Sequence, residues 1–267
     1  MKDVQDISML LADFINSSLL NIVPELDNMI IYEAPVVAVA SAQDPLFTRL
    51  QNEDVVSPEH MMPEDWLPGA KCVISYFLPF SERVRKSNGA TIDLPSTEWI
   101  YGRFEGEKFN NAVRAFLVSE LEKQGGHAVA PQIDPRFGVK GFTSRWSERH
   151  VAYIAGLGTF NLSKSMITEK GCAGRFGSVV TNLELTFTLR PYTGLYDYCN
   201  NCGACIPRCP VDAICDEGKR HPPCHEFQNE MMEKYKPRYG CGKCQTGVPC
   251  EHEIPKPIKS NKVTCRI

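Results

Sequence analysis

The segment YCNNCGACIPRCPVDAI, residues 198–214, constrains this chain most, because it carries four cysteines in the spacing CxxCxxCxxxCP. A cubane iron–sulfur cluster needs several thiolates on one short turning loop, and two-residue gaps let successive sulfurs converge on it. The proline after the fourth cysteine turns that residue toward a second centre. A zinc ribbon is the alternative, but zinc sites usually pair two CxxC knuckles. The spacing therefore favours iron–sulfur chemistry.

A second group of cysteines follows in HPPCHEF and YGCGKCQTGVPCE. In two-cluster ferredoxins the last cysteine of one motif binds the cluster of the other motif. This logic predicts two [4Fe-4S] clusters, the first held by Cys199, Cys202, Cys205 and Cys250, and the second by Cys209, Cys224, Cys241 and Cys244. The gap from Cys244 to Cys250 exceeds the usual three residues, so Cys215 and Cys265 stay open as alternatives to Cys250.

The remaining cysteines and the composition bear on compartment and partners. Clustered cysteines among the twelve in the chain indicate metal binding in a reducing compartment. Cys72 and Cys172 lie apart from the others and are predicted to be small buried apolar residues.

A net charge of -3 does not suggest a dedicated nucleic-acid binder. The N-terminal segment predicts an amphipathic helix rather than an export signal, and no membrane span is expected. The chain is predicted to be cytoplasmic.

The first 190 residues alternate between strand and helix patterns. Near-continuous apolar runs at 35–47 and 70–80 predict strands of a sheet covered on both faces. Apolar residues at helical spacing predict a helix over 107–124, and a second helix begins at Ser147 as N-cap and ends at Gly156. Another strand is predicted over 176–189. The pattern indicates an α/β or α+β core over 1–190 and a Cys-rich domain over 191–267.

The stretch from Ser147 to Leu185, taken with the cysteine tail, resembles the cobalamin-dependent epoxyqueuosine reductases and, more distantly, the reductive dehalogenases. The matching features are Glu148, AGLG at 155–158, TNLEL at 181–185 and CxxCxxCxxxCP. WLPGAKCVISYFLPF, residues 66–80, also resembles an early strand of the family. The resemblance spans about residues 30 to 255.

The resemblance implies a nitroreductase-like core that holds a base-off corrinoid, followed by a ferredoxin-like double-cluster domain. Glycines allow close backbone approach to a macrocycle, and short polar side chains can bind its amide edges. The predicted corrinoid-binding residues are Gly156, Leu157, Gly158, Phe160, Asn161, Ser163, Ser165, Gly174 and Phe176. The alternative is that AGLG is only a helix C-cap and NLSKS the next N-cap.

The chain departs from the family at the proton donor. The reductases carry an acid in D(S/T)xPxxE, six positions before the Glu, where this chain has Phe142. No proton donor can therefore be carried over, and the weaker catalytic candidates are Tyr101, Asp134 and Arg145. The C-terminal helical repeats of the longer reductases are also missing from the sequence, so tRNA is not expected as a substrate.

The predicted function is that of a cobalamin-dependent iron–sulfur reductase. Electrons from a low-potential ferredoxin or flavodoxin would pass through both clusters to the corrinoid, which reduces a small organic substrate. Two alternatives stay open: an electron-transfer protein that reductively activates another corrinoid protein, and a core that binds a flavin. The sequence does not fix the oligomeric state, and a homodimer is left open.

Overall fold

The computed structural model of the chain describes residues 3–257. Seven α-helices are present in that range: α1 (Val4–Ser17), α2 (Leu46–Arg49), α3 (Pro63–Trp66), α4 (Glu82–Ala90), α5 (Thr97–Lys123), α6 (Glu148–Ala155) and α7 (His221–Tyr235). Short 3-10 helices cover Leu19–Asn21, Pro24–Leu26, Pro131–Ile133 and Lys243–Gln245. Within the described range no helix is long and apolar enough to cross a membrane.

Twelve strands form one central sheet and four two-stranded ribbons within residues 3–257. The central sheet has the order β3-β4-β10-β5, and each neighbouring pair is antiparallel. The strands are β1 (Ile22–Val23), β2 (Met29–Ile30), β3 (Val36–Ser41), β4 (Cys72–Pro79), β5 (Ala128–Val129), β6 (Val139–Lys140), β7 (Thr143–Ser144), β8 (Gly158–Phe160), β9 (Met166–Thr168), β10 (Gly174–Thr181), β11 (Ile214–Cys215) and β12 (Gly218–Lys219).

Helices cover the central sheet on both faces, as the apolar strand patterns predict. Side chains of β3 and β4 alternate between two apolar clusters, one shared with α1 and α5 and the other shared with α2 and α6. Every residue of β4 is buried, which explains why its sequence is apolar at successive positions. The mixed α/β fold class is confirmed. The nitroreductase-like and ferredoxin-like labels stay predictions.

Two predicted element boundaries differ clearly from the structure, and a third element agrees with its prediction. Helix α5 begins ten residues before the predicted start, because Ser96 caps it by accepting a hydrogen bond from the Trp99 amide at 3.1 Å. Strand β10 ends at Thr181, since the following Asn182 side chain turns to bond His127 of the neighbouring segment. Ser147 and Gly156 flank α6 as predicted, and Gly156 adopts the left-handed conformation.

The tail, residues 191–257, is docked on the core by buried polar contacts. Arg208 donates to the backbone oxygens of Asn88 and Thr91, each at 3.1 Å, and so joins the tail to the end of α4. The fully buried Lys243 ammonium donates to the same two oxygens at 2.9 and 2.8 Å. Burial and the nearby Arg208 lower the pKa of Lys243 to about 8. Asn88 donates in return to the Cys241 backbone oxygen at 3.1 Å.

Candidate functional site

A cavity of about 500 Å³ lies between the core and the tail, a size within the usual range for small-molecule sites. The core wall comes from α5, the start of α6 and the start of β10. The tail wall comes from the start of α7 and the loop that contains residues 240–245. The side chains of this cavity are therefore brought together from both halves of the chain.

The tail wall contains four of the predicted cluster ligands, Cys209, Cys224, Cys241 and Cys244. These are the four cysteines that the sequence assigns to one cluster. Burial and the nearby thiols of the other three raise the pKa of Cys241 to about 12. Burial also raises the pKa of Cys244, while the Lys219 ammonium lowers it. We call this group the inner cysteine set.

The other predicted set does not line the cavity. Cys199 and Cys205 pack against the buried Cys250 in a small apolar cluster, and Cys202 is exposed. Burial raises the pKa of Cys205 to about 12, with Cys250 and Cys199 among its neighbours. Cys199, Cys202, Cys205 and Cys250 are called the outer cysteine set below.

Cys172, from the core, completes the surroundings of the outer set. Its Sγ lies 3.8 Å from Cys250 Sγ, and its side chain is fully buried, as the sequence predicts. The hydrogen bond with Cys250 and burial raise the pKa of the Cys172 thiol, whereas the same hydrogen bond lowers the pKa of Cys250. The sequence interpretation missed this proximity, because no spacing rule links a lone core cysteine to a tail motif.

Among residues 3–257 no three His, Cys, Asp or Glu side chains are grouped to hold a single metal ion. A cubane does not require that arrangement, since each cysteine binds a different iron atom. Cys215 lies on the β11–β12 ribbon, where its Sγ donates to the Gly218 backbone oxygen at 3.5 Å. Cys265, the other alternative ligand, lies outside the described residues.

The predicted corrinoid wall divides into two parts. Ser163, Ser165, Gly174 and Phe176 line the cavity, whereas Gly156, Leu157, Gly158, Phe160 and Asn161 do not. Gly156 ends α6, and Leu157 is buried in the core. A Cβ on Gly158 would lie 2.0 Å from the Ile167 backbone oxygen, so glycine there lets β8 pair with β9. For these three residues the helix-cap interpretation of AGLG fits the structure better than the corrinoid-wall interpretation.

Asn161 organises the turn that carries the two serines. Its Oδ1 accepts from the amides of Ser163 and Ser165 at 3.1 and 3.0 Å and from the Ser163 hydroxyl at 2.9 Å. Its Nδ2 lies 3.8 Å from Cys250 Sγ as a donor. Asn161 therefore faces the outer cysteine set rather than the cavity.

The three weaker catalytic candidates lie outside this cavity. The Tyr101 ring stacks under the Arg238 guanidinium, 3.7 Å from its centroid. Asp134 pairs with Arg136 at 2.9 Å, and this hydrogen bond lowers the pKa of the carboxyl, which makes it a poor acid. Arg145 lines a separate, smaller pocket and donates to the Arg136 backbone oxygen. Each residue is held by local contacts that the sequence does not reveal.

Phe142, at the position of the family acid, does line the cavity. Its ring stacks on His221 with centroids 5.3 Å apart and meets His225 edge-on at 5.6 Å. Both histidines belong to the first turns of α7, so this contact joins the core to the tail at the cavity. Burial is the main cause that lowers the pKa of His221.

Two carboxyl groups, Glu107 and Glu148, line the cavity. Glu107 pairs with Arg114 at 3.0 Å and with Arg175, and although burial opposes ionisation these cations lower its pKa to about 2. Glu148 accepts from the Ser178 hydroxyl at 2.6 Å and faces Arg114 at 3.4 Å. Burial raises the pKa of Glu148 despite that arginine. The two carboxyl groups therefore differ in direction: the pKa of Glu107 is lowered and the pKa of Glu148 is raised.

Comparison with known proteins gives relatives but no matching family model. The epoxyqueuosine reductase of Listeria monocytogenes is 30% identical over 118 residues, which cover 40% of this chain and 30% of that protein. The epoxyqueuosine reductase of Cellulophaga algicola is 24% identical over 201 residues, covering 67% of this chain and 58% of that protein. The matches therefore span less than two thirds of either relative.

Solved structures share the fold. A reductive dehalogenase structure, described as suggesting a mechanism for B12-dependent dehalogenation, matches 82% of this chain and 30% of its own with a TM-score of 0.54 and 14% identity. Epoxyqueuosine reductase with an epoxyqueuosine-modified tRNA stem loop matches 93% of this chain and 66% of its own with a TM-score of 0.50 and 18% identity. The fold is thus that of these two classes of reductase. The resemblance predicted from the sequence is confirmed.

Proposed function

We propose that the chain is an iron–sulfur reductase in which two [4Fe-4S] clusters deliver electrons to a corrinoid held in the cavity. The observation that carries the proposal is the position of the inner cysteine set, which forms the tail wall of the cavity opposite the core helices. A cluster there would lie directly against whatever the cavity binds. This arrangement favours the reductase over a simple electron carrier, which needs no cavity behind its cluster.

The residues present fit both groups. All eight predicted cluster ligands are free cysteines, and thiolates are the usual ligands of iron–sulfur clusters. Uncharged polar side chains line the cavity and are suited to the amide edges of a corrinoid: Gln132, Ser144, Ser163, Ser165 and Gln245. The cavity is partly open to solvent, so a large ligand can extend beyond it.

The outer set would serve as the entry point for electrons. Cys202 is exposed, whereas the inner set faces the cavity. A low-potential ferredoxin or flavodoxin would dock near Cys202, and electrons would move from the outer to the inner cluster. Within this proposal the ligand sets are those predicted from the sequence, and the tail of residues 191–267 is the double-cluster domain.

A bound corrinoid would supply the low-potential chemistry that reduces the substrate. Within this proposal Glu148 is the proton donor of the chain, because burial raises the pKa of its carboxyl group. Ser178 and Arg114 fix that carboxyl in place. Glu107 stays ionised and balances Arg114 and Arg175. Phe142 covers part of the cavity with an apolar ring.

We propose a small organic substrate, because the enclosed carboxyl and the aromatic cover of the cavity suit one. The neighbour solved with a tRNA stem loop does not support the expectation that tRNA is excluded. A tRNA is therefore kept as the second candidate substrate. The cytoplasmic location remains a prediction.

The cluster assignment is tested by iron content after anaerobic reconstitution. We expect about eight irons per chain, as two [4Fe-4S] clusters contain. Cys202→Ser should lower this to about four, while Cys215→Ser, a matched change at a tail cysteine outside both sets, should leave it unchanged. An iron content that is the same in all three proteins would refute the ligand assignment.

A further inference from the structure

The outer cysteine set is bordered by a cysteine of the core, and this contact carries an inference beyond the ligand sets. The backbone amide of Cys172 donates to the Cys250 backbone oxygen at 2.9 Å, and the Ala173 amide donates to the Glu251 oxygen at 3.1 Å. These two hydrogen bonds align the core segment beside the tail. The Cys172 thiol consequently lies 3.8 Å from the Cys250 sulfur.

A second donor reaches the same sulfur from the core. Asn161 Nδ2 lies 3.8 Å from Cys250 Sγ, and the Asn161 side chain is 3% exposed. Its orientation is fixed, because Oδ1 accepts three hydrogen bonds from Ser163 and Ser165, which leaves the amide nitrogen facing Cys250. Two buried donors from separate core segments thus converge on one predicted ligand.

Hydrogen bonds to the sulfurs of an iron–sulfur cluster stabilise the reduced state, which carries the additional negative charge. Donors in a buried site have a larger effect than exposed donors, because water does not compete for the sulfur. On the basis of the proposed clusters, we propose that Cys172 and Asn161 are positioning residues that hydrogen-bond the Cys250 thiolate and raise the reduction potential of the outer cluster. Cys172 is not a ligand in this arrangement.

The two core donors would therefore raise the reduction potential of the outer cluster when the tail is docked on the core. Cys202 is exposed, and its backbone amide donates to the Asn200 side chain within the tail at 3.2 Å. A cluster in an undocked tail would lose both donors to Cys250. Correct docking is thereby coupled to the ease with which the outer cluster accepts an electron.

The test is a potentiometric titration of the reconstituted protein followed by electron paramagnetic resonance, with iron content measured in parallel. Cys172→Ala should keep about eight irons and shift one midpoint to a more negative value. At a fixed potential the ratio of reduced to oxidised outer cluster should fall about tenfold. For one electron this corresponds to a shift of the midpoint potential by about 59 mV. The other midpoint should not move.

Three variants make the outcome specific. Cys72→Ala changes the other buried core cysteine, whose Sγ lies 3.9 Å from the Leu185 oxygen, and should leave both midpoints unchanged. Cys172→Ser retains a donor and should recover part of the shift. Asn161→Asp keeps the acceptor that orders the turn but places an oxygen against Cys250, so it should shift the same midpoint further.

The outcomes separate this inference from the cluster assignment. Loss of about four irons in Cys172→Ala would overturn the inference by making Cys172 a ligand. Unchanged midpoints in both Cys172→Ala and Asn161→Asp would overturn it as well. A parent protein that assembles no clusters would instead refute the proposed function on which the inference rests.

Discussion

Glu107 on α5 is the charged group whose removal has the clearest energetic consequence. Its Oε1 accepts from Arg114 Nη1 at 3.0 Å, and its Oε2 accepts from Arg175 Nε at 2.9 Å. The side chain is 25% exposed, so solvent screens these contacts only in part. Glu107→Gln would keep the shape of the side chain but remove the charge that both arginines face.

The magnitude follows from the pKa of Glu107, which falls from 4.5 to about 2 in the folded chain. Each pKa unit is worth about 1.4 kcal/mol, so the ionised carboxylate stabilises the fold by about 3 kcal/mol at neutral pH. Because the folded pKa is lowered, this contribution is present above pH 4.5 and is lost as the pH falls toward 2. Between pH 5.5 and 8 it should be constant.

Anaerobic denaturant unfolding of the parent and of Glu107→Gln at pH 5.5, 7 and 8, following helix content, measures this contribution. The exposed Glu122 on the same helix provides a matched control as Glu122→Gln, which should change the free energy of unfolding by less than about 0.5 kcal/mol. A loss below about 1 kcal/mol for Glu107→Gln would contradict the argument. So would a difference that shrinks between pH 8 and 5.5.

Two further predictions concern the cavity acid and the docking of the tail. Infrared titration should show the band of a protonated carboxyl group at pH values above the ordinary pKa of glutamate, because burial raises the pKa of Glu148. The band should disappear in Glu148→Gln. If the parent protein shows no such band, Glu148 is ionised and the prediction is wrong. Gly171→Ala should loosen the tail, since Gly171 has a φ of +74° and a Cβ there would lie 2.3 Å from the His252 amide nitrogen. Limited proteolysis should then cleave the tail faster than in Gly125→Ala, which also changes a positive-φ glycine but meets no neighbouring atom; equal rates would refute the docking role.

The sequence predicted what depends on local pattern. The apolar runs identified β3 and β4 because both faces of the sheet are covered, and the cysteine spacing separated the two sets that the structure brings to different places. Periodicity did not reveal the early start of α5, because the part before residue 107 carries charged residues such as Arg103, which faces the cavity rather than solvent. A buried charged face breaks the apolar pattern on which a helix prediction relies.

Long-range contacts account for the remaining differences. Gly156 and Gly158 match the family motif, but backbone pairing with β9 rather than a ligand explains the glycine at 158. The proximity of Cys172 and Asn161 to Cys250 depends on how the tail docks, and the sequence contains no local signal for that. Glu148 was matched from the motif, but the sequence did not show that its pKa is raised by burial, whereas Arg175 and Arg114 lower the pKa of Glu107 despite burial.

The visible spectrum of the anaerobically reconstituted protein during titration with cobalamin tests the central claim most directly. We predict the broad absorption of two [4Fe-4S] clusters, and on addition of cobalamin the bands of its base-off form at a stoichiometry of about one per chain. Cluster absorption with no change on addition of cobalamin would contradict the account and favour an electron carrier, and a flavin band in the purified protein would show that the cavity holds a different cofactor.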